Sequence, residues 1–286
     1  MVDKEIGAAF RELRLQKGYT LKYAARGIVS VQFLSQFERG QSSISLARLA
    51  ALLTNIRVSV VELASTPELS MINWLDLWAF QLDAVRRGLD DVYLDATIAP
   101  EHLRPVVAIV NRLAVVRPDE RRNLLNRGDA GQIARTVTAS RHYGVYVNLV
   151  VHYGAFSLAS SLRRVAEQRL SEVNLTAELP YLQSGSTFGA MAALVEAEIY
   201  LGNIQRAEQL LRQMRLRPMA SDTAALITLR VLEAELALRR GDTVTANALR
   251  QQLLRTLQLL GDVSEYQRHA QYLARVWQEL GVRAHG

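Results

Sequence analysis

Apolar residues recur three and four positions apart along almost the whole chain, and no run alternates with the period of two that marks a half-buried strand. The pattern predicts an all-α protein. Caps divide the first 66 residues into five short helices. The first ends at Gly18, and Thr20 caps LKYAARG. Ser30 caps VQFLSQFER, which Gly40 ends. Ser45 caps LARLAALLTN, and Ser59 caps VVELA. The second and third are joined by the few residues around RGIV, the spacing of a helix-turn-helix. Pro67 then stops the preceding helix, and Ser70 caps MINWLDLWAFQLDAVRR. There Ile72, Leu75, Ala79, Leu82 and Val85 share one face, and Gly88 ends the helix. A boundary after Thr66 gives two domains, residues 1–66 and 67–286. Further breaks are expected at IAPEHLRP, VVRPDE, NRGDAG, ELPYLQSGST, RLRPMASDT and LLGDVSE.

The second half carries an internal repeat. EIYLGNIQRAEQLL aligns with ALRRGDTVTANALR, so that Gly202 matches Gly241, Asn203 matches Asp242 and Ala207 matches Ala246; QELG then sets Gly281 one repeat further on. A helix, a glycine-ended tight turn and a second helix with alanine at the close crossing resemble a tetratricopeptide repeat. The expected architecture is a five-helix DNA-binding domain followed by a tetratricopeptide-like array of helical hairpins. An irregular helical bundle is the alternative.

Composition narrows the function. Absent cysteine excludes disulfides, thiolate metal sites and cysteine nucleophiles, and it fits a reducing compartment. The charged, helix-patterned N-terminus is unlike a signal peptide. The most apolar stretch, VYVNLVVHYGAFSLASSL, holds Asn148, His152 and serines, so it reads as a buried helix and not a membrane span. The expectation is a cytoplasmic protein that does not bind membranes. The net charge of +6 is uneven: residues 1–66 hold nine Lys/Arg against five Asp/Glu, the rest 25 against 23. The small N-terminal domain is therefore the candidate for a polyanionic partner. The chain has no phosphate loop, no HExxH and no GxSxG, and its five histidines lack metal-ligand spacing. No enzyme, cofactor or metal site is expected. In the two RGD triplets, glycine followed by a capping aspartate reads as turn chemistry.

On a helix beginning at Val31, Leu34 and Phe37 point one way, while Gln32, Ser35, Gln36 and Arg39 point the other. Glu38, the one carboxylate, lies off that face. A glutamine amide matches the N6/N7 edge of adenine in the major groove, discriminating by about 1–3 kcal/mol. Ser30 and the N–H groups at the helix start suit a phosphate. Arg11, Arg14, Lys17, Arg39 and Gln41 are candidate phosphate contacts, which position a reading helix without specifying sequence. The motif residues are Leu13-Arg14, Gly18, Thr20, Ser30, Leu34-Ser35-Gln36-Phe37-Glu38-Arg39-Gly40 and Ser59-Val60. They resemble the Xre/Cro-type helix-turn-helix, which implies Val31, Gln32, Ser35 and Gln36 as base readers. Leu21 departs from that pattern, where glutamine often follows the second cap.

SVQFLSQFERGQSSIS, the long helical remainder and the chain length are together similar to Rgg-type transcription regulators. The resemblance implies a homodimer on promoter DNA, quorum sensing through a short peptide pheromone in the concave groove of the array, and possible contact with RNA polymerase. Some Rgg-type members pair a cysteine across the dimer, a link this chain lacks. For the peptide, the first helices of the hairpins offer Asn148, His152, Tyr153, Arg230, Glu233, Tyr266, Gln267 and Trp277. Each has a plainer reading: Asn148 and His152 as satisfied core polar groups, Arg230 and Glu233 as a surface pair, and Trp277 as core beside Leu273 and Leu280. Two rival functions stand beside the peptide-sensing regulator. One is a repressor without ligand whose helical domain only oligomerises; the other is a protein–protein scaffold.

Overall fold

A computed structural model describes residues 2–64, 66, 69, 74–86, 94–116, 120–172, 181–216, 223–261 and 263–283. Among these residues there are helices and turns but no strands. Two compact units emerge: Met1–Gln81 with Thr97–Pro100, and Leu82–Ala96 with Glu101–Gly286. The expected stop at Pro67, cap at Ser70 and terminus at Gly88 lie outside the described residues, as does Ile72.

The first unit opens with the five expected helices, α1 (Val2–Gln16), α2 (Leu21–Ala25), α3 (Val31–Glu38), α4 (Leu46–Asn55) and α5 (Val60–Ala64); α6 (Trp74–Arg86) begins in this unit and ends in the second. The four capping residues are where the sequence puts them. Thr20 accepts from Tyr23 N at 3.2 Å, Ser30 from Phe33 N at 3.1 Å, Ser45 from Arg48 N at 3.4 Å and Ser59 from Glu62 N at 2.9 Å. Gly18 and Gly40 take the positive φ that ends α1 and α3. Phe10, Leu34, Phe37, Leu52 and Ile56 are fully buried in one core. α1 crosses α3 at Gly7, where a Cβ would overlap the Phe37 carbonyl oxygen. With five residues, α2 satisfies few of its own carbonyls. Asn55, at the end of α4, supplies the missing donors: its Nδ2 donates to Ala24 O at 3.0 Å and Arg26 O at 2.9 Å.

The second unit contains α7 (Arg104–Ala114), α8 (Arg121–Leu124), α9 (Arg127–Ala139), α10 (Val145–Gly154), α11 (Ser160–Glu172), α12 (Tyr181–Tyr200), α13 (Ile204–Arg215), α14 (Thr223–Arg239), α15 (Thr243–Leu259) and α16 (Val263–Arg283). α12 with α13 and α14 with α15 form the two repeated hairpins, and α10, α12, α14 and α16 pack side by side in that order. Gly202 and Gly241 have φ of 81° and 83°, and Ala207 and Ala246 are fully buried at the crossings. Asp242 caps α15 by accepting from Thr245 N at 3.0 Å. Asn203 does not cap; its Nδ2 donates to Glu198 Oε2 at 2.6 Å.

Three expectations give way. α16 runs on through Gly281, and the positive φ near that end of the chain belongs to Gly261. GST of ELPYLQSGST lies inside α12, because Thr187 is fully buried against α10. The first RGD opens α9 with no turn at its glycine, since Asn126 caps the helix by accepting from Asp129 N at 2.9 Å.

Gly7→Ala should cost about 1–3 kcal/mol, because the overlap is with backbone. Gly185→Ala, in a helix with open space around its Cβ position, should hold or raise stability. Urea unfolding of the full chain compares the two.

Candidate functional site

The amphipathic split of α3 is physical. Leu34 and Phe37 are fully buried, with Phe37 tilted against Phe10 at a ring separation of 6.1 Å. Val31, Gln32 and Arg39 are exposed, and Ser35 and Gln36 are half-buried. The loop after α3 adds Ser42, whose hydroxyl donates to Gln36 Oε1 across 3.4 Å. That long bond biases the amide to present Nε2 outward as a donor. Ser30 is exposed, and its capping bond uses an oxygen lone pair, leaving the hydroxyl proton for an acceptor. Arg11 and Gln41 are exposed as well.

Arg14 departs from the role expected of it. It is 5% exposed and forms a bidentate pair with Glu38, Nε to Oε1 at 2.6 Å and Nη2 to Oε2 at 2.7 Å; its Nη1 donates to Tyr19 O at 2.7 Å. Its guanidinium therefore ties α1 to α3 inside the unit and does not face a phosphate. Lys17 is half exposed and pairs with Glu62 at 2.8 Å. The Lys17 hydrogen bond holds the Glu62 carboxyl below its usual range. An exposed pair of this kind is weak enough for a phosphate to displace. Lys22, Arg26, Arg48 and Arg57 are further exposed cations around α2 and α4. Their signal in the sequence was the basic excess of the first 66 residues.

Arg14→Ala should destabilise the protein by about 3–5 kcal/mol, since it strands a buried carboxylate. Arg11→Ala should leave the melting temperature near that of the parent. Thermal melts distinguish a structural arginine from a surface one.

In the second unit, the row α10, α12, α14, α16 carries the candidate peptide residues. Asn148 is fully buried, and its Nδ2 donates to Ser186 Oγ at 3.1 Å and Thr187 Oγ1 at 2.9 Å, while its Oδ1 accepts nothing. His152 Nδ1 meets Gly189 O at 2.9 Å, so the ring proton sits on Nδ1. These two bind α10 to α12. Tyr153 is buried beneath Arg121, whose guanidinium lies 5.1 Å from the ring, and its hydroxyl donates to Leu82 O at 3.4 Å. Arg230 pairs with Glu233 at 2.7 Å, and Glu233 also takes Arg215 from α13. Tyr266 packs in an apolar cluster with Val231, Leu253 and Leu273, and Gln267 is exposed. Trp277 turns to α15: its Nε1 donates to Asn247 Oδ1 at 2.8 Å, and Arg250 lies 5.2 Å from its ring. Tyr153 is thus buried among its neighbours, and Trp277 is partly buried against α15.

The sequence reading missed a contact across α12, α14 and α16, where the Tyr272 hydroxyl lies 2.5 Å from Glu235 Oε1 and 3.0 Å from Glu196 Oε1. Glu196 and Glu235 occupy equivalent places in the repeat, each six residues before its glycine. A charged residue at a repeated position within an apolar helix was the signal that could have found them.

Residues 10–63 match the helix-turn-helix family. No curated protein is similar enough in sequence to match the chain. Solved structures are similar along nearly its whole length. The SHP pheromone receptor Rgg2 of Streptococcus dysgalactiae superposes with a TM-score of 0.67 at 13% identity, covering 94% of this chain and 99% of that one. A putative transcriptional regulator from Listeria monocytogenes EGD-e gives 0.64 at 15%, covering 97% and 98%. PrgX, in its complex with cCF10, gives 0.59 at 10%, covering 96% and 93%. At these identities the likeness is one of fold. The chain thus joins a helix-turn-helix at residues 10–63 to a helical array, in the fold that Rgg2 and PrgX share and that the resemblance to Rgg-type regulators implied.

Proposed function

We propose that the chain is a sequence-specific DNA-binding transcription regulator, not an enzyme, controlled by a short signalling peptide bound along the row α10, α12, α14, α16. The observation that carries the DNA reading is α3. Its buried face is wholly apolar apart from a neutralised Glu38, and its outer face offers Val31, Gln32, Ser35 and Gln36 with Arg39 beside them. An eight-residue helix fits the major groove and reads a few bases. Arg11, Lys17, Ser30, Arg39 and Gln41 are assigned to the phosphates. A single short helix gives limited affinity, so the working form is a homodimer on a pseudo-palindrome. Contact with RNA polymerase is the natural output of such a complex.

The peptide reading is supported by the fold shared with Rgg2, described as a pheromone receptor, and by a row of helices on which His152 is partly exposed and Gln267 exposed. Peptide binding controls DNA binding only insofar as the peptide prefers one of two states of the protein.

Gel shifts with DNA from upstream of the chain's own coding region test the first reading. Gln32→Ala and Gln36→Ala should each lower preference over random DNA by about 1–3 kcal/mol. Arg39→Ala should weaken all sequences alike and reduce the salt slope by about one. Affinity without a salt slope sinks the DNA reading; equal loss on specific and random DNA sinks the base-reading roles alone.

A further inference from the structure

From Leu13 to Phe37 the chain has no Asp or Glu, while Arg14, Lys17, Lys22 and Arg26 fall in that span. The acids that pack against it are taken, Glu38 by Arg14 and Glu62 by Lys17. Tyr19 and Tyr23 stack within this stretch, with ring centroids 4.9 Å apart and planes 15° from parallel. Tyr19 is fixed from within the unit. Its carbonyl accepts from the buried Arg14 at 2.7 Å, and its ring lies against the core. Tyr23 rests on that ring and is 44% exposed.

Stacking accounts for the rings but not for the hydroxyls, since two phenylalanines would stack as well. Neither phenol oxygen has a hydrogen-bond partner among the described residues. Between them in sequence, Thr20 is exposed. Its oxygen accepts from Tyr23 N at 3.2 Å through a lone pair, so its proton remains to be donated. Lys22 is exposed and makes no ion pair among the described residues. Leu21 is half-buried and apolar, so it contributes no donor. The turn into α2 therefore gathers hydroxyl donors and an ammonium with no negative charge among them. The surface is open to water, where a free anion is screened and weakly held. An anion already positioned by other contacts is a better match. In a helix-turn-helix the second helix enters the major groove and the first crosses the phosphate backbone. Here α3 is the second helix and α2 the first, so a duplex read by α3 carries its backbone past α2.

We propose that the Tyr23 and Thr20 hydroxyls and the Lys22 ammonium grip a phosphate of that backbone, with Tyr19 as the platform that holds the Tyr23 ring. The inference rests on the DNA reading above. It adds residues outside the phosphate set of Arg11, Lys17, Ser30, Arg39 and Gln41. The stack orders the Tyr23 ring before DNA arrives, so little side-chain freedom is lost on contact. A hydroxyl donor displaces no counterion from the duplex, whereas Lys22 does. The grip therefore tightens binding on every sequence, and Lys22 alone of its donors adds to the salt dependence.

The test removes one oxygen. Tyr23→Phe keeps the ring and its stack, so the full chain should melt at the parent's temperature. Fluorescence anisotropy then follows binding to the upstream duplex and to a random duplex across a salt series. Tyr23→Phe should weaken both duplexes by about fivefold and leave the salt slope unchanged. Lys22→Ala should weaken both and lower the slope by about one. A Tyr23→Phe variant that binds both duplexes as the parent does overturns the phosphate grip and leaves the DNA reading standing. A loss confined to the upstream duplex also overturns it, since a phosphate contact carries no sequence preference. A parent chain that binds neither duplex, or binds without a salt slope, overturns both readings.

Discussion

The first unit depends on one buried contact, the two-bond pairing of Arg14 with Glu38. Taking both charges out of water is expensive, and the planar guanidinium recovers that cost only in the fork geometry found here. A third donor from Arg14 fixes the Tyr19 carbonyl, so one side chain sets the exit of α1, the turn into α2 and the C-terminal end of α3. The pair also explains how a helix with the proposed DNA-facing surface tolerates a glutamate. Glu38 is neutralised inside the unit, and the outer face of α3 is left without a negative charge. Gly7 and Asn55 complete the restraint, one by letting α1 come close to α3, the other by closing the end of α2 from α4.

In the second unit, polar contacts set the register between neighbouring helices. Apolar ridges between long helices tolerate sliding, whereas Asn148 on Thr187, Arg163 on Glu198 at 2.7 Å and Tyr272 on Glu235 each permit one alignment. The repeat supplies the spacing, and these bonds choose among the registers it allows. Asn148 Oδ1 on α10 and Glu235 Oε2 on α14 are buried acceptors left without a donor in that row.

Local chemistry was legible in the sequence; partnership at a distance was not. Thr20, Ser30, Ser45 and Ser59 act within three residues of themselves, so their caps could be read directly. Gly202 and Gly241 were readable for the same reason. The face of α3 followed from a period that needs no neighbour. Arg14 was different: nothing near it in the chain says that its carboxylate lies 24 positions away, and an arginine on a helix reads as surface until that partner is known. Trp277 likewise depends on Asn247 and Arg250 of another helix. Glu196 and Glu235 were visible as repeated acids, but alignment by glycine and alanine directed attention to the turns and away from the helix interiors.

The Tyr272 arrangement bears on the charge of the molecule itself. The formal count of +6 treats every glutamate as ionised. Burial and the charge of Glu196 raise the Glu235 carboxyl well above its usual range, so the folded chain keeps that proton to a higher pH than the unfolded chain does. Folding is then coupled to uptake of a proton. The raised titration contributes full stability below the ordinary glutamate range and loses it as pH climbs through the folded value. Acid conditions, which loosen most proteins by neutralising their paired carboxylates, would tighten this one contact between α14 and α16.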